Sequence, residues 1–327
     1  MTARPISWIL RPVMRSYKQS AGQAFRHRFE GPFYRNIMMW GVKNFSHPMQ
    51  RATMPFWAGI FYVLVPRARR AIEANLSRVQ PLSPVDGKAR SFRLFVNYAQ
   101  SITNMYCLHQ GQPVPVEAVT VGQEHIFALQ KEGRGAVVVT GHLGFWQIAP
   151  ILMQRKSYPP LTMAMAEEPN AGTAEWERQF REKFRIVYTT SSPFATLELA
   201  SVLKRGELVG MQMDRFSGGP HVMVPFCGKP APFPLGPATL ARATGTPLLP
   251  TFIIADADRT NCTFHVEAPI EVAHTRDRDA DLREATTRAV AVYERYVRQY
   301  PEQWFNFFDF WNPPAAKRPP GNPLPRT

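Results

Sequence analysis

Residues 141–147, Gly-His-Leu-Gly-Phe-Trp-Gln, hold an imidazole in a short turn flanked by glycines. His142 follows a run that suits a buried strand, Gly135 to Thr140 (GAVVVT), and precedes an apolar stretch of helical character, Phe145 to Met153. Ligands of open α/β sheets bind at the carboxyl ends of strands, and reactive side chains point there. A neutral imidazole in that place can take a proton from a hydroxyl or amine as it attacks an activated carbonyl. A carboxylate on its other ring nitrogen would fix the tautomer and stabilise the imidazolium that forms. A lone histidine is more often structural, so the weight of this reading rests on what surrounds it.

The surroundings read as α/β, a largely parallel, helix-covered sheet with a helical, basic N-terminal extension. Strands are expected at Leu161–Ala166, Ile186–Tyr188, Glu207–Gln212, His221–Phe226, Leu248–Ile254 and Asn261–Val266. Helices are expected at Thr173–Arg185, Ala195–Lys204, Pro237–Thr244 and Asp279–Tyr300. Strands separated by helices of this length imply parallel pairing. The chain divides into three regions: a basic helical region at 1–110, an α/β core at 111–312 that opens with a Gly/Pro-rich turn at Gly111–Pro115, and a Pro-rich tail at 313–327 that cannot pack a core.

Charge divides the chain unevenly. Of its +14 net charge, +13 falls on residues 1–110, where 16 basic residues face only Glu30, Glu73 and Asp86. Such asymmetry points to an anionic surface met by one end of the molecule. No zinc-finger spacing, RNA-recognition signature or basic region feeding heptads accompanies it, so nucleic acid is not the expected partner. Residues 5–18 (PISWILRPVMRSYK) would as a helix set Trp8, Ile9, Val13, Met14 and Tyr17 beside Arg11, Arg15 and Lys18, which suits a headgroup layer. The plainer alternative is a helix docked on the protein's own core. Met54 to Pro66 is too short an apolar run to span a bilayer and reads as interfacial, re-entrant or buried. With no secretory signal, the chain is expected on the cytoplasmic face of the inner membrane, held peripherally. Cys107, Cys227 and Cys262 are odd in number and widely spaced, which argues against a disulfide framework or a cysteine metal site.

The histidine turn resembles the H-x-x-x-x-(D/E) motif of the lysophospholipid acyltransferase superfamily, and above all the branch of the late lipid A acyltransferases. Other blocks resemble that branch in the same order: Arg70 with Asn75-Leu76, Met213-Asp214-Arg215, Val224 to Gly228, Pro234 to Leu240, and Pro301 to Trp311 (PEQWFNFFDFW). The likeness spans roughly residues 65–312. It implies transfer of a fatty acyl group from an acyl carrier protein or coenzyme A thioester to a hydroxyl or amine of a lipid or lipid-like acceptor, with no metal and no cofactor. The aromatic C-terminal run also resembles acyltransferases of specialised-lipid and pigment pathways.

Within that resemblance His142 is the general base. The position five residues on, where the family carries an acid, is Gln147, whose amide can accept an imidazole N–H but supplies no charge. The analogous acid-to-amide change in serine proteases costs about four decades of rate. Asp214, expected at the end of the Glu207–Gln212 strand, is the preferred carboxylate; its alternative is a structural partner for Arg215. Arg215 in turn suits a phosphate of the phosphopantetheine arm or the acceptor, or an ion pair with Asp214. The N–H groups of Leu143 and Gly144 at a helix N-terminus would supply an oxyanion site. Phe226, Phe233 and Leu235 line an acyl groove or are plain core, and Gly228 goes with the substrate-binding block. His109, His125, His221 and His274 show no partner pattern. Trp304 to Trp311, six aromatics in eight residues broken by Asn306 and Asp309, reads as a segment that docks on the core. The competing reading is a silent relative that binds acyl chains, lipid or a partner enzyme, with Gln147 marking the lost activity.

Overall fold

The computed structural model describes residues 32–109, 117–154, 157–165, 184–189, 194–216 and 219–313. The amphipathic segment at 5–18, the turn at 111–115, the expected helix from Thr173 as far as residue 183 and the tail beyond 313 lie outside them; Arg185, expected to end that helix, opens a strand instead.

The first described region is helical: α1 (Pro32–Asn44), α2 (His47–Leu64), α3 (Pro66–Val79) and α4 (Pro84–His109). Proline opens α1, α3 and α4, at the position where a missing N–H is not felt. Met54 and Ala58 of α2, Ile72 and Leu76 of α3, and Leu94 and Phe95 of α4 close a core that also takes in Phe305 from the far end of the chain.

Among the described residues nine strands come next, interleaved with five more α-helices: β1 (Glu117–Val121), α5 (Gln123–Lys131), β2 (Ala136–Thr140), α6 (Ala149–Gln154), β3 (Leu161–Met165), β4 (Arg185–Tyr188), α7 (Ala195–Lys204), β5 (Leu208–Gln212), β6 (His221–Phe226), β7 (Lys229–Pro234), α8 (Gly236–Thr244), β8 (Leu248–Ala255), β9 (Asn261–Val266) and α9 (Arg278–Gln299). Seven strands form one sheet in the order β1-β9-β8-β2-β5-β3-β4. All its pairings are parallel except β8 with β9. The largely apolar β2 and β8 are central and buried, as expected of strands covered on both faces. The period of two then sorts β2: Val137 and Val139 join the layer under α7, α8 and α9, while Ala136 and Val138 join the layer under α5 and α6.

Two elements depart from the expected pattern. His221–Phe226 does not enter the sheet; it pairs antiparallel with β7 in a separate ribbon, with Met223 opposite Pro232 and Pro225 opposite Pro230. β7, KPAPFP, carries proline at every second residue, a pattern that argues against a strand. In a two-stranded ribbon it is harmless, because alternate N–H groups point away from the only partner. β1 and α5 also went unread in the sequence.

The register of β2 against β5 sets the level at which the candidate site forms. Thr140 is paired with Gln212, and the Met213 N–H donates to the Thr140 carbonyl at 2.9 Å. The second residue beyond each strand end, His142 and Asp214, is therefore brought to the same level of the sheet. The C-terminal aromatic run closes over them: the Phe305 N–H donates to the His142 carbonyl at 2.7 Å, and Leu143 bridges to Trp304. Asn75 of α3 staples this run in place, donating to the carbonyls of Asn306 and Phe308 at 3.1 and 2.8 Å and accepting from the Phe310 N–H at 3.2 Å. Asn75→Ala should leave three backbone groups, two of them buried, without this partner and cost about 2 kcal/mol or more, read as a lowered urea midpoint at unchanged m-value.

Candidate active site

Two glycines let the His142 turn form. Gly144 has φ +61°, and a side chain there would drive its first carbon to 1.9 Å from the Ile253 carbonyl oxygen. Gly141 needs smallness for a different reason: a first side-chain carbon would sit 2.5 Å from the Tyr293 ring. That close approach lets Tyr293 reach the carboxylate beside the histidine.

Asp214 is that carboxylate. Its Oδ1 lies 2.8 Å from His142 Nδ1, and its Oδ2 accepts from the His142 backbone N–H at 2.7 Å, the Tyr293 hydroxyl at 2.8 Å and Asn306 Nδ2 at 3.2 Å. Burial of this 1%-exposed side chain pushes its carboxyl up, but the His142 imidazole, its hydrogen bonds and the neighbouring Arg215 charge outweigh burial. The net result holds the Asp214 carboxyl well below the usual carboxylate range. Burial, together with the Asp214 charge and hydrogen bond, pushes the Tyr293 hydroxyl well above its ordinary value, so it stays a donor. An ionised carboxylate can only accept; Nδ1 therefore carries the hydrogen, and in the neutral imidazole Nε2 keeps the lone pair. The imidazole is itself buried, with its ring centroid 5.1 Å from that of the half-buried Trp146.

Gln147 does not hold the place on Nδ1 that its motif position suggests. Its Oε1 accepts from Ser101 Oγ on α4, and Nδ1 belongs to Asp214. Of the two candidate partners, Asp214 is the one brought to the ring. Arg215, next in the chain, is half-buried and adds positive charge to the same neighbourhood.

The substrate-binding roles expected of Leu143, Gly144, Phe226 and Gly228 need correction. Leu143 and Gly144 offer no oxyanion donors, because the Leu143 N–H donates to the Gly141 carbonyl at 2.8 Å and the Gly144 N–H to the Gln303 carbonyl at 2.9 Å. Nor do they open a helix: a single 3₁₀ turn begins at Trp146 and α6 only at Ala149. Phe226 lines no groove. It is fully buried, ringed by Phe233, Tyr293, Trp304, Phe310 and Trp311, and Phe233 is equally enclosed. Gly228 stands exposed in the turn of the β6–β7 ribbon, a part of the chain that makes none of the bonds around His142. His221 and His274 are exposed and His125 half-buried; the side chain of His109 lies outside the described residues.

Tyr293, Asn306 and Ser101 were not singled out from sequence. Asn306 carried a signal, since it is one of two polar breaks in the aromatic run. Tyr293 carried a weaker one: it shares a buried stripe with Ala285, Ala289 and Val297 on α9, and a buried phenol needs a partner. Nothing local names that partner as Asp214, 79 residues away.

Comparison with known proteins bears on what this arrangement serves. The model of the family described as bacterial lipid A biosynthesis acyltransferase matches residues 23–312. A phosphatidylinositol mannoside acyltransferase of Mycolicibacterium smegmatis is 23% identical over 274 residues, 81% of this chain and 86% of its own length. The protein of that name from Mycobacterium tuberculosis is 29% identical over 139 residues, 42% of this chain and 44% of its own. Among solved structures, the 1-acyl-sn-glycerophosphate acyltransferase PlsC of Thermotoga maritima aligns over 75% of this chain and 96% of its own, at 14% identity and a TM-score of 0.35.

The contact pattern separates the two candidate partners. Asp214→Asn should lower acyl transfer by roughly three to four decades, by analogy with the serine-protease aspartate, whereas Gln147→Glu should change it less than tenfold. The same Asp214 variant should lose acid-sensitive stability. A carboxyl depressed in the folded state stabilises above its unfolded pKa of about 4 and loses that contribution as pH falls below it. Unfolding midpoints of wild type and Asp214→Asn should therefore converge as the solution is acidified.

Proposed function

The chain belongs to the bacterial lipid A biosynthesis acyltransferase family and is a lipid acyltransferase; we propose that it moves a fatty acyl group from an acyl carrier protein or coenzyme A thioester to a hydroxyl or amine of a lipid or lipid-like acceptor, with His142 as general base. The observation that carries this reading is the His142–Asp214 pair at the level where β2 and β5 end. With Nδ1 turned to Asp214, Nε2 takes the acceptor's proton as its oxygen or nitrogen attacks the thioester carbonyl. Asp214 stays ionised and stabilises the imidazolium that results. The tetrahedral intermediate then collapses, the carbon–sulfur bond breaks, and His142 returns the proton to the leaving thiolate. Arg215 is the candidate ligand for a phosphate of donor or acceptor, which its planar, permanently charged guanidinium suits.

Support for a lipid acceptor comes from the relatives, whose names specify a phosphatidylinositol mannoside, and from the family, whose name specifies lipid A. The excess positive charge of residues 1–110 supports an anionic membrane surface as the place of work, with the acyl carrier protein, itself acidic, as a donor that charge would attract. No helix among the described residues is long and apolar enough to cross a membrane, and we read the attachment as peripheral, on the cytoplasmic face of the inner membrane. The silent-relative reading drew its strength from Gln147 and weakens once Asp214 occupies Nδ1.

His142→Ala should reduce acyl transfer from either thioester by roughly three decades, the scale of general base catalysis. His142→Gln, which can still offer Asp214 a donor, should fall to the same level at near-wild-type melting temperature. Turnover within tenfold of wild type in either folded variant would remove the mechanism.

A further inference from the structure

Helix α2, and with it the exposed Trp40 and Ile37 of α1, presents apolar side chains that no described part of the chain covers. On α2 these are Phe56, Trp57, Ile60, Val63 and Leu64, with Phe56 66% and Val63 69% exposed. The α2 residues fall at i, i+1, i+4, i+7 and i+8, one side of a helix. Gln50, Met54 and Ala58, on the other side, are the ones buried in the protein. α2 is therefore apolar on both flanks, and only one of them is spent on the protein's own core.

The charge of this stretch of the sequence is equally one-sided, although Glu73 just beyond it pairs with Arg69 and accepts from Tyr62 of α2. From residue 31 to residue 72 the chain has no Asp or Glu, while Arg35, Lys43, Arg51, Arg67, Arg69 and Arg70 lie in the same stretch. Lys43, Arg67 and Arg70 are at least partly exposed. Large exposed apolar side chains set among cations, with tryptophan in the patch, match an anionic lipid surface: the rings and aliphatic chains enter the headgroup–acyl boundary and the cations stay among phosphates. A partner protein would have to be both apolar and acidic over the same area, and a second copy of this chain would bring cations against cations.

We infer that the α1–α2 face is a membrane-docking surface, with α2 lying in the plane of an anionic bilayer and Phe56, Trp57, Ile60, Val63 and Leu64 immersed in it. The inference names the surface behind the peripheral attachment proposed above and rests on that part of the reading, not on the acyl-transfer chemistry. It also relates attachment to the site. α2 packs on α4, and Ser101 on α4 bonds to Gln147 in the histidine turn. One helix, a layer roughly 10 Å thick, thus separates the lipid-facing helix from the turn that carries His142, a short path for an acceptor drawn from the bilayer.

The test uses the full chain and vesicles of phosphatidylcholine with and without phosphatidylglycerol. Burial pushes the native thiols up, Cys107 to about 11 and Cys227 and Cys262 to about 12, so a cysteine introduced by Val63→Cys can be labelled selectively with an environment-sensitive dye. The expected result is a blue-shifted, brightened emission on adding the anionic vesicles, quenched by lipid-borne quenchers. A label placed by Val119→Cys on the exposed edge strand β1 should stay aqueous. The double variant Phe56→Asp/Val63→Asp should bind these vesicles at least roughly tenfold more weakly. Its melting temperature and its turnover of detergent-dispersed substrate should match wild type. Three results would overturn the inference: a Val63 label that stays aqueous on bound protein, a double variant that binds as wild type does, or sedimentation showing a dimer that the double variant abolishes. Loss of turnover in detergent by the His142 variants tests the chemistry separately, so the two readings fail in different experiments.

Discussion

A single buried charge organises this molecule. Asp214 is 1% exposed and ionised, a condition that costs several kcal/mol unless donors surround the carboxylate. The donors come from three elements, each more than 70 residues from Asp214 in sequence: the backbone and ring of His142 just past β2, the Tyr293 hydroxyl on α9, and the Asn306 amide in the C-terminal run. Each must arrive for the charge to be tolerated. The contact that orients the imidazole is thus the same one that holds the ends of the α/β core together, and the site cannot be assembled without the fold.

The supporting constraints stem from that convergence. Tyr293 reaches Oδ2 only because residue 141 has no side chain, and the turn closes only because residue 144 can adopt φ +61° against the Ile253 carbonyl. Asn306 reaches Oδ2 only because the run that carries it is pinned by Asn75 of α3. In that turn the N–H groups of His142, Leu143, Gly144 and Phe145 all donate to the protein's own acceptors. The amides of Leu143 and Gly144, well placed in sequence to meet an oxyanion, are consumed in holding the turn to its neighbours. Stabilisation of a tetrahedral intermediate has to come from other donors.

What was legible in the sequence was local. β2 showed itself as an uninterrupted β-branched run, and the turn after it as an imidazole between glycines. Asp214 was within reach of reasoning because it lies just past another strand, and parallel strands end together. What escaped was set at long range. The acceptor for the Gly144 N–H is a carbonyl 159 residues later, at Gln303, and nothing in the turn announces it. β7 escaped because its prolines contradict strand propensity, and only a two-stranded ribbon makes them acceptable. Phe226 could as well have lined a groove as filled a core, since type alone does not say which; five aromatic neighbours decide it.

Gln147 gains a physical account once Asp214 is in place. Two carboxylates against one imidazole would repel each other, and one would resist ionisation. With the negative charge supplied from the end of β5, a neutral amide at 147 avoids that conflict and is free for another bond. It spends its oxygen on Ser101 of α4, the helix that packs beneath α1 and α2. The position at which the resembled motif carries an acid here links the histidine turn to the helical layer that carries the exposed apolar side chains. Charge for the imidazole comes from Asp214 on the sheet side, and attachment of the turn from Gln147 on the helical side.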